Sequence, residues 1–369
     1  MKSIGIVNYQ FSDRNYGAVL QAAALHWVIG NKLGYKSEHI NYIPVTIKLS
    51  LIGHLKYKIG NVLRSLKLKK EIIRYSDFKN KNVFEDFRIK YLPRSNDVYS
   101  SLDELKSSSF DYTHVVVGSD QVWRPSYTEN STLVYFLDFL PSNVKKISYA
   151  ASFGNDSWEL DIDTLEHKNV VKALNQFNSI SVREDSGVNI CKNIFDKDVM
   201  HVLDPTLLAG KEFFEDIIND SIESESESES EIVYYKLEID GEFTSFISSL
   251  ENKTGYKSEN IYYNKVNNNY YYYSVDEWLY KIKKSKIIIT DSFHCVCFSI
   301  LFNKQFIYYP NDNRGLSRLN SLLGLLGLEN RIYKADIKNH FRSIDYEIVN
   351  SRLDKLRESS MNFLIEGLR

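Results

Sequence analysis

Cysteine, proline and methionine are all scarce in this chain: 369 residues include three Cys, six Pro and three Met. Cys191, Cys295 and Cys297 are an odd set with no C-x-x-C pair, so neither a disulfide framework nor a cysteine-built zinc site is implied. A reducing compartment is the expectation. Neither charge sign is in excess, since 46 Lys and Arg face 48 Asp and Glu for a formal charge of −2, which argues against a dedicated nucleic-acid binder. No apolar run approaches the roughly 18 to 20 residues that span a bilayer. The opening MKSIGIVNYQ holds too short an apolar run for the core of a signal peptide. A cytoplasmic protein is expected. What the chain does contain is material for cores: 43% hydrophobic residues, with 26 Tyr and 20 Phe. At roughly 150 residues per domain, the length predicts two of them.

Short apolar runs alternate with helical periodicity throughout. Residues 4–7, 37–42, 114–117, 147–152 and 179–182 read as buried strands, with helices between them such as 161–177. After Asp204-Pro205 comes ESESESESE at 223–231, an acidic low-complexity run with nothing to bury. A second α/β pattern follows: strands at 232–235, 260–263, 286–290 and 306–309, with helices at 243–254 and 275–284. A last helix, 346–364, has Ile348, Leu353, Leu356 and Phe363 on or near one face. The pattern predicts two doubly wound, Rossmann-like α/β domains with the active site in the cleft between them. Residues 1–208 form the first, 209–231 a linker, 232–340 the second, and 341–369 a helix that can pack back on the first.

In such sheets, ligands gather beyond the carboxyl ends of the strands. Four loops qualify. Asn15, Tyr16 and Gly17 open a helix whose free N–H groups can hold an anion or a hydroxyl, although a plain helix start explains them alone. Asp120, Gln121 and Trp123 suit a sugar site, the polar pair bonding hydroxyls and the indole covering an apolar face; a capped turn with a core Trp explains them equally well. Arg183 ends a strand and offers a planar fork for carboxylate or phosphate, or simply pairs with the acids that follow it. His294 follows the KIIIT run beside Asp291 and Ser292, which makes it the strongest of the eight histidines for acid/base work. Cys295 and Cys297 fit packing of a helix on a sheet better than nucleophilic chemistry. Arg314 and Arg318 stand at the start of another helix, either as an anion-binding pair facing His294 or as solvated surface groups.

Together these segments resemble the polysaccharide pyruvyl transferase family. The matching stretches are NYGAVLQAAAL at 15–25, VVVGSDQVW at 115–123, ISYAASFG at 147–154, SVRED at 181–185, VLDPTLL at 202–208, TDSFHCVCFSI at 290–300 and SRLNSLLGLLGL at 317–328, in order over about nine-tenths of the chain. The resemblance implies a fold similar to GT-B glycosyltransferases and transfer of pyruvate from phosphoenolpyruvate onto two hydroxyls of a sugar in a surface polysaccharide or its precursor. It places His294 in proton transfer and matches Arg183 to the family's arginine. Arg318, Arg314 and the helix starts at Ser292 and Ser317 would supply the remaining donor contacts, and Asn15, Tyr16, Asp120, Gln121 and Trp123 the acceptor side. The chemistry requires no metal or further cofactor. Family members commonly carry Gly where this chain has Cys295, a change that bears on the donor pocket.

Two other classes remain open on the residues alone: a nucleotide-sugar glycosyltransferase on the same architecture, and a non-catalytic glycan-binding protein. Finally, 48–74 holds eight Lys and Arg against Glu71 alone, with Ile52, Leu55, Ile59, Val62, Leu63 and Leu66 at helical spacing. Residues 45–75 therefore read as a basic amphipathic helix, either docked on the first domain or resting on the inner leaflet of an anionic membrane where a lipid-linked glycan acceptor is presented.

Overall fold

The computed structural model describes residues 3–44, 75–220, 230–267, 269–311, 316–334 and 342–369. The basic segment 45–74, most of the ESES run and Arg314 lie outside the described residues.

The first unit is a seven-stranded, wholly parallel sheet of β1 (Ser3–Val7), β2 (Lys36–Tyr42), β3 (Arg94–Tyr99), β4 (His114–Val117), β5 (Lys145–Ala151), β6 (Ser179–Val182) and β7 (Met200–His201). Their spatial order is β3-β2-β1-β4-β5-β6-β7. Central strands are buried on both faces, as parallel sheets require, which is why His114–Val117 reads as an unbroken run rather than an alternation. Its principal helices are α1 (Tyr16–Trp27), α2 (Val83–Tyr91), α3 (Leu165–Leu174), α4 (Asp185–Phe195), α5 (Pro205–Ala209) and α6 (Lys211–Asn219). The second unit holds β8 (Ile232–Tyr235), α7 (Gly241–Thr254), β9 (Ser258–Asn260), the hairpin β10 (Asn264–Val266) and β11 (Asn269–Tyr271), α8 (Val275–Lys284), β12 (Ile287–Thr290), α9 (Phe293–Leu301), β13 (Gln305–Tyr308) and α10 (Ser317–Leu326). Its parallel sheet runs β13-β12-β8-β9. A long final helix, α11 (Tyr346–Gly367), completes the chain.

Four details differ from the sequence reading. The stretch expected as linker contains α6, which buries Phe213, Phe214, Ile217 and Ile218 through i, i+4 spacing. The second strand of the second unit ends at Asn260, while Tyr262 and Tyr263 beyond it join an aromatic cluster with Tyr270 and Tyr272. On α11 the buried face is set by Val349, Leu353, Ser360 and Leu364, one position away from Ile348, which is 53% exposed. The edge strand β3 was not expected from RSNDVY, since a solvated edge needs no apolar pattern.

The two units share buried contacts. Tyr16 of α1 stacks on Trp278 of α8 with ring centroids 4.9 Å apart, and its hydroxyl donates to the Tyr273 carbonyl at 2.9 Å. Phe78 stacks on Tyr272 at 3.8 Å, and the Asn80 amide both donates to and accepts from the Tyr272 backbone. After the second unit, α11 returns to the first: the Leu203 N–H donates to Ser360 Oγ at 2.9 Å, and Arg357 Nε donates to the Leu207 carbonyl at 2.7 Å.

Candidate active site

Strand order reverses between β1 and β4 in the first sheet and between β8 and β12 in the second, and each reversal opens a crevice at the carboxyl ends. The two crevices face one cleft of about 590 Å³, lined by residues 11–15, Asp120 and Gln121 from the first unit and by residues 291–294 and Arg318 from the second.

At its base lies Asp204, wholly buried after β7 and N-cap of α5. Its Oδ1 accepts from the Thr206 N–H at 2.9 Å and the Thr206 hydroxyl at 2.7 Å. Its Oδ2 accepts from Ser119 Oγ at 2.7 Å and Arg183 Nη1 at 2.8 Å, and faces His294 Nε2 at 3.5 Å. One oxygen thus gathers groups from β4, β6 and α9. Burial alone would raise the Asp204 carboxyl, but His294 and Arg183 outweigh it and hold the group well below the usual carboxylate range. Asp204 is therefore an anion at any physiological pH.

Arg183 is buried, with Nη2 3.6 Å from Asp120 Oδ1 and its guanidinium 4.3 Å from the centre of the Phe293 ring. Burial works against its charge, yet Asp204, Asp120 and Glu184 more than offset this and its pKa rises. Glu184 itself is locked away, accepting from Ser152 Oγ and the Phe153 N–H at 2.8 Å each. Arg318, in the first turn of α10, contrasts with Arg183. Burial and the facing Arg183 charge push its pKa down, and among the described residues no carboxylate lies within ion-pair distance of it. The cleft wall thus carries a guanidinium with no directly paired carboxylate among the described residues, its charge supported only at longer range by Asp120 and Glu184.

His294 opens α9 behind Ser292, whose hydroxyl caps the helix by accepting from the Cys295 N–H at 3.4 Å. The imidazole lies against the N-terminus of α1. A Cβ at Gly17 would fall inside it, against Nδ1, Cγ and Cβ, so glycine is required here for space. Asn15 caps α1, its Oδ1 accepting from the Ala18 N–H at 3.3 Å, and borders the cleft. Asp120 sits with φ of 79°, in the left-handed region that Asp tolerates through local hydrogen bonds, here to the Gln121 N–H at 2.9 Å. Gln121 lies over Gly154, whose φ of +71° and bare α-carbon leave it room.

His294, Arg318, Ser292, Asn15, Asp120 and Gln121 are thus brought to the cleft, and Arg183 to the buried cluster behind it. Three other expected site residues are not. Trp123 is wholly buried, stacked on Phe136 at 5.0 Å with Nε1 donating to the Tyr135 carbonyl, so it is a core residue with no face for a sugar. Tyr16 is spent on the contact with Trp278. Ser317 is buried and lies off the cleft wall. Cys295 is also buried; burial pushes its thiol up to about 12, in keeping with packing. Sequence reasoning did not assign Asp204 or Ser119, although both stand in quoted motifs. It also left out Lys236, one residue beyond β8, whose Nζ lies 3.4 Å from Asp291 Oδ2 with both side chains buried. Its signal was there: a lysine directly after an apolar strand-forming run.

Residues 15–313 match the family described as polysaccharide pyruvyl transferase. No curated protein matches the chain. Solved structures similar to it include UDP-GlcNAc 2-epimerase from Neisseria meningitidis bound to UDP-GlcNAc, at 11% identity and TM-score 0.45 over 100% of this chain and 99% of that one. Another is S. aureus MnaA with UDP, at 11% identity and TM-score 0.48 over 96% and 88%.

Proposed function

Since this chain belongs to the polysaccharide pyruvyl transferase family, we propose that its cleft transfers pyruvate from phosphoenolpyruvate to two hydroxyls of one sugar, closing a cyclic ketal and releasing inorganic phosphate. The observation that supports this most is the Arg318 guanidinium in the cleft wall, near Arg183, without a carboxylate at ion-pair distance among the described residues, in a cleft that His294 also lines. A small donor carrying both a carboxylate and a phosphate offers the planar Arg318 fork an anionic partner.

Four events define the reaction. The methylene carbon of the donor must gain a proton, which leaves positive charge on the adjacent carbon. A sugar hydroxyl then attacks that carbon and gives up its proton. Phosphate leaves with the electrons of its C–O bond, and the second hydroxyl closes the ring. Of the two hydroxyl protons, one balances the proton now on the methyl group and the other departs with phosphate. His294 suits the first step, as an imidazole bordering the cleft and oriented by the Asp204 carboxylate. Arg183 is held through Asp204 and Asp120, and with Arg318 it would take the donor's anionic groups. Ser292 would add a hydroxyl on the donor side. Asn15, Asp120 and Gln121 remain the candidates for the acceptor's hydroxyls.

Phosphoenolpyruvate should protect the protein against heat, by roughly 2.7 kcal/mol at a hundredfold excess over its dissociation constant. UDP-sugars should not. A melting shift with a UDP-sugar and none with phosphoenolpyruvate would replace this reading with a glycosyltransferase one.

A further inference from the structure

We propose that Phe11 and Tyr127 form an acceptor subsite, on which the apolar face of a pyranose ring lies beside Asp120 and Gln121. This rests on the pyruvyl-transfer reading for the word acceptor, but the ring-binding surface itself does not. Both aromatic side chains line the cleft together with the site's charged groups. Each meets the buried Tyr9 edge to face, Phe11 at 5.7 Å and Tyr127 at 5.5 Å, so one core ring fixes the orientation of both. Tyr127 nevertheless leaves 56% of its surface uncovered. Its ring is oriented by the fold and open toward the cleft.

The platform is built rather than loose. Arg88, 5% exposed, donates Nη1 to the Ser12 carbonyl at 3.0 Å and to the Gln10 carbonyl at 3.3 Å, and Nη2 to Asp13 Oδ1 at 2.6 Å. Its Nε is anchored on Glu85 at 2.7 Å. The loop carrying Phe11 is thereby tied to α2. On the other side, Arg124 bonds Gln121 Oε1 and Glu159 Oε1 at 3.0 Å each, and its carbonyl accepts from the Tyr127 N–H at 2.9 Å. Gln121 and Tyr127 are held by the same residue.

Chemistry separates this surface from the donor's. A doubly anionic molecule of three carbons uses cations and has little apolar face to cover, whereas a pyranose has an apolar ring face that aromatic side chains bury while hydroxyls project sideways to amides and carboxylates. Phe11 and Tyr127 supply the first; Asp120 and Gln121, beside them in the cleft wall, supply the second.

The test is saturation-transfer NMR on the full chain with methyl α-glucopyranoside, methyl α-galactopyranoside and methyl α-mannopyranoside, with no donor present. At least one should receive saturation at its ring protons. Phe11→Ala and Tyr127→Ala should each weaken that binding about tenfold, the scale of one lost aromatic contact face, and Tyr127→Phe should restore it. Both alanine variants should keep the wild-type melting shift with phosphoenolpyruvate, which shows that the fold and donor side are intact. Unchanged pyranoside binding in both alanine variants, or no saturation transfer to any of the three, would overturn the subsite; so would loss of the phosphoenolpyruvate shift in both. If pyranosides bind through these rings but phosphoenolpyruvate shifts nothing even in the wild type, the donor reading fails and the ring subsite stands.

Discussion

At the scale of single residues, the account turns on one oxygen of Asp204 serving Ser119, Arg183 and His294 together. His294→Gln should lower turnover by about 10² to 10⁴, the usual loss for a general acid, with little change in melting temperature. Asp204→Asn should destabilise the fold more, because it removes the nearest carboxylate from the buried Arg183 and leaves only the more distant Asp120 and Glu184. Removing one member of such a buried pair typically destabilises by about 3 to 5 kcal/mol, and thermal denaturation at neutral pH reads it. The pH dependence follows from the lowered Asp204 pKa. A carboxylate depressed in the folded state contributes stability that is complete above its unfolded value, about 3.9, and is lost as pH falls through the folded one. The gap between wild type and Asp204→Asn should therefore narrow below about pH 4; a constant gap down to pH 3 would contradict the assignment. The strand-end positions of His294 and Arg183 were legible because each follows a run of strand-forming residues. Asp204 was not, because Asp-Pro after a strand also describes an ordinary helix cap, and only the fold brings Ser119, Arg183 and His294 to its second oxygen.

At the scale of elements, the N-termini of α1 and α9 meet, and Gly17 permits it. Gly17→Ala should destabilise by about 1 to 3 kcal/mol, as overpacking does, and should also reduce turnover by displacing the imidazole. In a His294→Gly background the stability cost should largely vanish, and a double-mutant cycle measures that coupling. Additive costs would show that the clash lies elsewhere. Buried strands such as β4, β8 and β12 were plain in the sequence because both faces are covered and the runs are continuous. Elements with one wet side were not. The edge strand β3 and the hairpin β10–β11 are specified by neighbours and turns more than by long apolar patterns. Trp123 and Tyr16 carry the same lesson for the site: aromatic residues next to strand ends can belong to the ligand or to the core, and the deciding partners, Phe136 and Trp278, are remote in sequence for the second and invisible as contacts for both.

At the scale of the whole molecule, two parallel sheets present their switch points to one cleft. Among the described residues no helix is long and apolar enough to cross a membrane. The described residues that flank the basic segment 45–74 are Pro44, shortly after β2, and Tyr75, which lines the cleft. We propose that this segment contacts anionic lipid and so brings the cleft to a membrane-borne acceptor, each nearby cation contributing about 1 kcal/mol. Co-sedimentation should favour anionic over neutral vesicles and weaken with salt; equal recovery with both would refute it. The central claim is tested most directly by following inorganic phosphate and the ketal methyl resonance together, by NMR, while the protein acts on phosphoenolpyruvate across a panel of glycans and lipid-linked sugars. The account predicts acceptor-dependent phosphate release matched one for one by ketal formation, and loss of both in His294→Gln. Phosphate release without ketal, or equal turnover in His294→Gln, would contradict it.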